Sequence, residues 1–191
     1  MKNTREVINP FNGESIATVP EAGKEEVDAT IRTAREAFDR GPWRETTAQQ
    51  RGRILFAMAE IVRKNAAILA ELETRNCGKP IVESEFDMAD TASCFEYYGG
   101  LATKIHGETL PVPDNAINMT LREPVGVAGL IVPWNYPLML AAWKLGPALA
   151  AGCTVVLKPA EQTPLTTLEF ARLVQEGIPD VIPVAMCYLG W

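Results

Sequence analysis

The sequence predicts an α/β fold, in which a helical N-terminal region precedes the first part of a doubly wound parallel sheet and a small β arm lies between them. Two apolar strand patterns, at residues 125–132 and 153–157, are each followed by a helical pattern, and such alternation is typical of parallel sheets. Upstream, residues 24–104 carry apolar side chains mostly at helical spacing. Between these parts, residues 105–122 alternate polar and apolar side chains, which indicates short strands.

Length and charge exclude several classes of protein. The 191 residues, of which 47% are hydrophobic, suffice for a buried core. A net charge of -6 argues against a nucleic-acid partner, because no basic cluster is present to neutralise several phosphates. The first residues contain no apolar segment typical of a signal peptide, and the most apolar window, 137–151, is too short to span a membrane. We therefore expect a cytoplasmic protein without a membrane partner.

The cysteine and histidine content predicts no metal site. Cys77, Cys94, Cys153 and Cys187 form no CxxC pair, and His106 is the single histidine. Reduced thiols are the expectation, and the first three cysteines are most simply buried small apolar groups.

The N-terminal region begins with a predicted hairpin and continues with four helices. Strand patterns at 7–9 and 16–19 flank a turn that contains Gly13. The helices are marked by apolar periodicity and by glycine or proline at their ends. They are predicted at 24–40, from about Thr47 onward, at 65–76 and at 81–104, where Gly99 and Gly100 weaken the last turns.

The alternating segment 105–122 predicts a two-stranded arm instead of core. Pro111 and Pro113 interrupt its apolar pattern. An arm of this size is too small to be stable alone, so it needs a partner sheet.

The parallel sheet begins at residue 125. Residues 125–132 are almost continuously apolar, as expected for a strand buried on both faces. The following helix, 138–151, is apolar on nearly every side, so we expect it to be buried too. After the second strand, Thr163 is expected to cap a helix that has Pro164 at its first position and runs to about Glu176. The order strand, helix, strand, helix predicts the first part of a Rossmann-like sheet.

Polar side chains follow both strands at the point where each one ends. Ligands of open parallel sheets bind outside the carboxyl ends of the strands, so the amide of Asn135 is placed to donate to a reacting group. Glu161 follows the second strand, where an acidic side chain hydrogen-bonds ribose hydroxyls, and Lys158 is a second donor. The chain contains no GxGxxG sequence.

Three motifs carry a family resemblance. PWNYPL at 133–138, WKLGPALAAG at 143–152 and LKPAEQTP at 157–164 strongly resemble the NAD(P)-dependent aldehyde dehydrogenase superfamily, over residues 7–179. The resemblance implies an incomplete cofactor-binding domain at 1–104 and 125–191, an oligomerisation arm at 105–124, and no catalytic domain. It also implies a small-molecule aldehyde substrate and a homo-oligomer.

The resemblance implies roles for individual residues. Asn135 corresponds to the oxyanion donor, Lys158 and Glu161 to the residues that bind the adenosine ribose, and Val132 and Trp134 to the lining of the nicotinamide-side cleft, partly through backbone atoms. NAD is the expected cofactor, because Glu161 repels a 2′-phosphate. NADP stays an alternative, since Lys158 offsets that repulsion.

A finer resemblance concerns the substrate. Asp87, Asp90, Tyr136 and Trp143 resemble the betaine aldehyde and aminoaldehyde dehydrogenase branch, and the two aromatic residues, seven apart, can share a helix face. Aromatic faces attract a quaternary ammonium group by about 0.5–2 kcal/mol per ring, and the carboxylates add long-range attraction. Two plainer interpretations stay open, namely that the aromatic side chains belong to the core and that the carboxylates form a solvated helix face.

The resemblance also implies that two catalytic residues of the family are missing. The catalytic cysteine and the general-base glutamate of the family lie beyond residue 191, so we expect this chain to be inactive alone. The tail at 180–191 is apolar but departs from the family order, and we hypothesise a truncated or frame-shifted gene product, or a misjoined gene model. The alternative is a non-catalytic subunit that binds nucleotide weakly or joins full-length subunits. A short-chain reductase needs a Tyr-x-x-x-Lys pair, which the chain lacks.

Overall fold

The computed structural model describes residues 4–113 and 115–178, and it describes residues 184–186 as backbone only. An antiparallel hairpin comes first, formed by strands β1 (Thr4–Ile8) and β2 (Ser15–Pro20). Gly13 supplies a positive φ of 74° in the turn between them, a conformation that glycine adopts without steric cost. The predicted hairpin is therefore confirmed.

Four α-helices follow the hairpin, as predicted. Thr47 caps the second helix, since its side chain accepts a hydrogen bond from the backbone N–H of Gln50, whose own side chain accepts one from Thr47. Gly78, with a φ of 82°, ends the third helix in the left-handed conformation. Short 3₁₀ turns follow the first helix and the fourth helix. The helices are α1 (Lys24–Arg40), α2 (Ala48–Lys64), α3 (Ala66–Cys77) and α4 (Ile81–Leu101).

The two glycines near the end of α4 differ in their surroundings. The helix continues through both of them to Leu101. A Cβ atom on Gly52 of α2 would lie 2.7 Å from the carbonyl oxygen of Gly99, so these backbones approach more closely than larger residues allow. A Cβ atom on Gly100 would meet nothing within 4 Å. The Gly52–Gly99 contact therefore allows α2 and α4 to pack closely, whereas Gly100 takes no part in it.

The arm is a separate two-stranded antiparallel sheet. Strand β3 (Thr109–Leu110) pairs with β4 (Asn118–Met119), so the predicted two-stranded arm is confirmed. Its apolar side chains are largely exposed, including Ile117 at 80% and Leu121 at 76%. Its role in oligomerisation stays a prediction.

The three-stranded sheet is parallel and has the order β5-β6-β7. Strands β5 (Val127–Ile131) and β6 (Thr154–Lys158) are each followed by a helix, α5 (Pro137–Ala151) and α6 (Leu165–Gly177). Side chains of β6 alternate between two hydrophobic clusters. Val156 packs with Ala34 of α1, whereas Val155 and Leu157 belong to the main helical core. The sheet therefore has helices on both faces, which confirms the predicted doubly wound arrangement.

One prediction about this sheet is wrong. Strand β5 is not buried on both faces, because Ile131 is 65% exposed, whereas every residue of β6 is buried. The reason is that, among the strands that the structure describes, β5 is the outer one and pairs with β6 alone, so less of it is covered. In the tail, the backbone of β7 (Val184–Met186) pairs in parallel with β6. Cys187 and the rest of the 180–191 segment lie outside the described residues.

Helix α5 is buried less completely than its sequence suggested. Its core face packs against α4, but Trp143 is 53% exposed and Lys144 beside it is exposed too. The ammonium of Lys144 donates a hydrogen bond to the carbonyl oxygen of Ile131. Among the residues that the structure describes, no helix is long and apolar enough to cross a membrane.

Candidate functional site

Two loops leave the sheet side by side and form the candidate site. The register of β5 and β6 pairs Ile131 with Lys158, and the N–H of Val132 donates to the carbonyl oxygen of Lys158 at 3.1 Å. The loop after β5 carries Asn135, and the loop after β6 carries Glu161. The structure therefore brings the predicted oxyanion donor and the predicted ribose-binding pair to the same edge of the sheet.

The backbone of the Asn135 turn is held from two sides. The carbonyl oxygen of Trp134 accepts hydrogen bonds from the Thr163 hydroxyl at 3.2 Å and from the Cys77 thiol at 3.4 Å. The same thiol lies 3.7 Å from the carbonyl oxygen of Asn135. Asn135 itself is exposed. The turn is thus anchored through its carbonyl groups while the Asn135 side chain faces solvent, where a ligand can reach it.

The predicted cap of α6 is wrong, because Asn76, a residue that the sequence did not indicate, takes the place of Thr163. The hydroxyl of Thr163 donates to Trp134 instead of capping the helix. The first N–H of α6, that of Leu165, is accepted by the side-chain oxygen of Asn76 at 3.0 Å. The amide nitrogen of Asn76 donates to the carbonyl oxygen of Gln162 at 2.9 Å. A side chain from α3 therefore fills the capping position.

Lys158 and Glu161 form an ion pair at the end of β6. Their nitrogen and oxygen atoms are 2.5 Å apart, and the side chains are 10% and 21% exposed. Burial alone would raise the pKa of Glu161, but the hydrogen bond and charge of Lys158, together with the charge of Arg5, lower the pKa overall. Glu161 is therefore ionised at neutral pH and is a hydrogen-bond acceptor.

The two predicted cleft residues have different environments. Val132 is 3% exposed and belongs to the hydrophobic core, so its side chain is not available to a ligand. Trp134 is 58% exposed. It lines a cavity of about 520 Å³ together with Glu161, Thr163, the end of α3 and residues of β1. This cavity lies beside both loops.

A buried ionic cluster lies behind the Asn135 turn. The ammonium of Lys79 is 3.3 Å from a carboxylate oxygen of Glu73 and 2.5 Å from one of Asp87. It also lies 4.3 Å from the centre of the Tyr136 ring. The second oxygen of Glu73 accepts the N–H of Leu138, in the first turn of α5, at 3.3 Å. The cluster thus connects α3 and α4 to the start of α5.

Glu73 has the most perturbed environment of the cluster. Its side chain is fully buried. Burial raises the pKa of Glu73 to about 7, against the charge of Lys79 and the hydrogen bond from Leu138, and the nearby charge of Asp87 adds to the rise. The sequence offered one signal for this residue. Glu73 follows Leu69 by four positions, so it occupies the buried stripe of α3.

The two predicted substrate carboxylates do not share a surface. Asp87 is buried and paired with Lys79, whereas Asp90 is exposed. The interpretation as a solvated helix face is therefore wrong for Asp87. Long-range attraction from Asp87 is also largely cancelled, because the Lys79 ammonium neutralises it at contact distance.

The two predicted aromatic residues both expose surface. Tyr136 is 37% exposed and Trp143 is 53% exposed, so the interpretation as ordinary core residues is wrong. Their spacing does not place them on one helix face, because Tyr136 precedes α5 with a non-helical φ of -136° and ψ of 70°. One face of the Tyr136 ring already contacts the Lys79 ammonium.

The cysteines that the structure describes are not activated thiols. Burial raises the pKa of Cys77, and it raises the pKa of Cys94 to about 11. Cys153 is buried within the sheet region. A thiol with a raised pKa is a poor nucleophile at neutral pH, because little thiolate is present.

Fold and site together define a doubly wound α/β domain whose candidate ligand site lies at the carboxyl ends of adjacent parallel strands. The particular family follows from sequence comparison, since the chain belongs to the aldehyde dehydrogenase family, whose model matches residues 1–185. The match extends past residue 179, where the family resemblance in the sequence stopped.

Individual relatives agree with this assignment. The betaine aldehyde dehydrogenase of Bacillus subtilis is 50% identical over 92% of this chain and 36% of its own length. The mitochondrial aldehyde dehydrogenase of Homo sapiens is 46% identical over 95% of this chain and 37% of its own length. Among solved structures, the NAD+ complex of an aldehyde dehydrogenase from Bacillus cereus is 42% identical, with a TM-score of 0.94 over 98% of this chain and 38% of that chain. The chain therefore spans less than two fifths of the length of these relatives.

Proposed function

We propose that this chain forms part of an NAD+-dependent aldehyde dehydrogenase, an oxidoreductase that converts an aldehyde to a carboxylic acid. The observation that carries the proposal is the placement of the exposed Asn135 in the loop after β5, at the same edge of the sheet as the Lys158–Glu161 pair at the end of β6. One loop offers a neutral donor for a reacting oxygen, and the other offers groups for a nucleotide ribose.

The loop after β6, which carries Glu161, suits a nucleotide. The ionised Glu161 carboxylate accepts hydrogen bonds from ribose hydroxyls, and the Lys158 ammonium donates to their oxygen atoms. The adjacent cavity of about 520 Å³ has room for part of such a ligand. The solved relative from Bacillus cereus is an NAD+ complex. When bound, NAD+ would accept the hydride that the substrate carbon loses.

The negative charge of Glu161 favours NAD+ over NADP+. A 2′-phosphate would lie close to this carboxylate, and like charges repel. NADP+ is the alternative, because the Lys158 ammonium 2.5 Å from the carboxylate offsets part of the repulsion.

The first loop fits the aldehyde chemistry. Addition of a thiolate to an aldehyde carbonyl leaves a negative oxygen, and the Asn135 amide donates a hydrogen bond to it. A single donor of this kind contributes about 3–4 kcal/mol of barrier reduction. The thiolate comes from outside the described residues, because Cys77 and Cys94 have raised pKa values and Cys153 is buried. The general base is also supplied from outside them.

Betaine aldehyde or an aminoaldehyde is the substrate class that we propose. Tyr136, next to Asn135, and Trp143 of α5 both expose aromatic surface, and such surface attracts a quaternary ammonium group. The Lys79 ammonium at the Tyr136 ring does not leave a net positive charge there, because both Glu73 and Asp87 contact it. Asp90, which is exposed, is the remaining candidate for long-range attraction. The relative from Bacillus subtilis bears the name betaine aldehyde dehydrogenase.

A second candidate function is that of a non-catalytic subunit that joins full-length subunits. The exposed apolar side chains of the arm, Ile117 and Leu121 among them, favour it. Association through this arm also underlies our expectation of a homo-oligomer.

An assay of NADH formation distinguishes the two candidates. The substrates are betaine aldehyde and its neutral isostere 3,3-dimethylbutanal, offered to this chain and to the same chain extended with the downstream family sequence. We expect activity in the extended protein alone, a preference for the cationic aldehyde, and a loss of about 100- to 1,000-fold in Asn135→Ala. Activity of the short chain would show that one of its own groups is the nucleophile. Inactivity of the extended protein, together with co-purification of this chain with an intact homologue, would favour the non-catalytic subunit.

A further inference from the structure

The side-chain amide of Asn76 makes two hydrogen bonds to the loop that precedes α6, one through its nitrogen and one through its oxygen. Its amide nitrogen donates to the carbonyl oxygen of Gln162 at 2.9 Å, and its amide oxygen accepts the N–H of Leu165 at 3.0 Å. Gln162 directly follows Glu161, and Leu165 begins α6. One side chain thus fixes both the start and the end of the segment that follows Glu161.

The position of Asn76 makes this contact a rigid one. The residue lies in the last turn of α3 and is 3% exposed, and α3 packs against both α4 and α6. Buried amide groups that satisfy two backbone partners are costly to displace, because each lost bond leaves a polar group unpaired. The loop is therefore tied to a helix of the core and not to a neighbouring surface segment.

The contact also affects the Asn135 turn. The loop that Asn76 holds contains Thr163, whose hydroxyl donates to the carbonyl oxygen of Trp134 at 3.2 Å. Asn76, Glu161 and Trp134 line the same cavity. A single amide on α3 is thereby connected to both loops of the candidate site.

We propose that Asn76 is a positioning residue of the nucleotide site, which holds the loop 161–165 so that Glu161 stays against Lys158. Asn76 acts through Glu161 and takes no part in the chemistry itself. The expected consequence of this role, tighter nucleotide binding, rests on the proposed function. The positioning of Glu161 by Asn76 does not depend on that function, because the Glu161–Lys158 contact exists without a nucleotide.

The test compares Asn76→Ala with a matched destabilised control, Thr47→Ala. Thr47 caps α2 and lies outside the cavity, so its loss lowers thermal stability without touching either loop. The first readout is the titration of the Glu161 carboxyl group, followed by carbon NMR without nucleotide. The second is the dissociation constant for NAD+, measured by calorimetry well below the unfolding temperature of each variant.

In Asn76→Ala we expect the released loop to separate Glu161 from Lys158. The pKa of Glu161 then rises toward the ordinary value of a glutamate, and the dissociation constant for NAD+ rises about tenfold. In Thr47→Ala both quantities match those of the unsubstituted chain. If Asn76→Ala does not fold, Asn76→Ser is the milder truncation that carries the same expectation.

Two results separate the possible failures. An unchanged Glu161 titration in a folded Asn76 variant would overturn the positioning role, whatever happens to its stability. Absence of NAD+ binding by the unsubstituted chain would count against the proposed function instead, and the Glu161 titration would still decide the role of Asn76.

Discussion

A carboxylate oxygen of Glu73 accepts the backbone N–H of Leu138 at 3.3 Å, so a buried residue of α3 caps the helix that follows the Asn135 turn. Asn76, three positions later on the same helix, caps α6 in the same manner. The end of α3 therefore caps the first turns of both helices that start at the candidate site. Each of the two functional loops is held at its far end by one of these side chains.

The first prediction concerns the pH dependence of stability. The pKa of Glu73 is raised to about 7 in the folded protein from an ordinary value of 4.5, so the folded state binds this proton more tightly than the unfolded chain. The contribution of Glu73 to stability is thus fully present below about pH 4.5 and is lost as the pH rises toward 7. We expect Glu73→Gln to remove this loss, which is on the order of 3 kcal/mol.

Urea denaturation at pH 5 and pH 8 measures this effect. The quantity to compare is the change in unfolding free energy between the two pH values, for Glu73→Gln and for the unsubstituted chain. Glu71→Gln is the matched control, because Glu71 is an exposed carboxylate on the same helix. Equal pH dependence in all three proteins would contradict the account of Glu73.

The second prediction concerns Lys79. Replacement by methionine leaves Glu73 and Asp87 buried without the ammonium that they share. The loss of one partner from a buried ionic cluster costs about 3–5 kcal/mol, so Lys79→Met should unfold at a clearly lower urea concentration. The exposed Lys64→Met should differ from the parent by less than about 0.5 kcal/mol. A Lys79 variant as stable as the Lys64 variant would show that the cluster contributes little.

The third prediction concerns the packing of α2 on α4. A Cβ atom on Gly52 would lie 2.7 Å from the Gly99 carbonyl oxygen, so Gly52→Ala must push the helices apart and should cost about 1–3 kcal/mol. Gly100→Ala meets no atom within 4 Å and should stabilise the helix by about 0.5–1 kcal/mol. Thermal unfolding of the two variants should therefore move in opposite directions, and a shift of the same sign in both would refute the close approach.

The fourth prediction concerns the choice of nucleotide. Glu161→Gln removes the charge that repels a 2′-phosphate and leaves Lys158 unpaired in this contact. We expect binding of NADP+ relative to NAD+ to improve by about tenfold, from roughly 1.4 kcal/mol of relieved repulsion. Calorimetry with both nucleotides checks this ratio, with the exposed Glu176→Gln as control. An unchanged ratio would mean that Glu161 does not face the 2′ position.

Much of the architecture could be predicted because it depends on local patterns. Helix α1 was predicted with its observed ends, since its apolar spacing and the Gly41-Pro42 stop both lie in the local sequence. The Asn135 turn was also predictable, because an apolar strand and an apolar helix flank it closely.

The failures concern tertiary contacts that the local sequence pattern does not reveal. Thr163 has the local signature of a helix cap, yet Asn76, 89 positions before Leu165, supplies the acceptor. Asp87 was taken as a free carboxylate, because nothing in the spacing of α4 indicates that Lys79 of the preceding loop folds back to it. The burial of β5 was overestimated, since an apolar sequence does not tell an outer strand from a central one.

The central claim is that the Asn135 turn and the Lys158–Glu161 pair belong to one nucleotide-dependent site. A titration of the nitrogen-15-labelled chain with NAD+, followed by NMR, tests it most directly. We predict saturable shifts of one common affinity at Trp134, Asn135, Lys158 and Glu161, with the arm at 105–122 unaffected. Shifts confined to one loop, or no saturable shift in either, would contradict the claim.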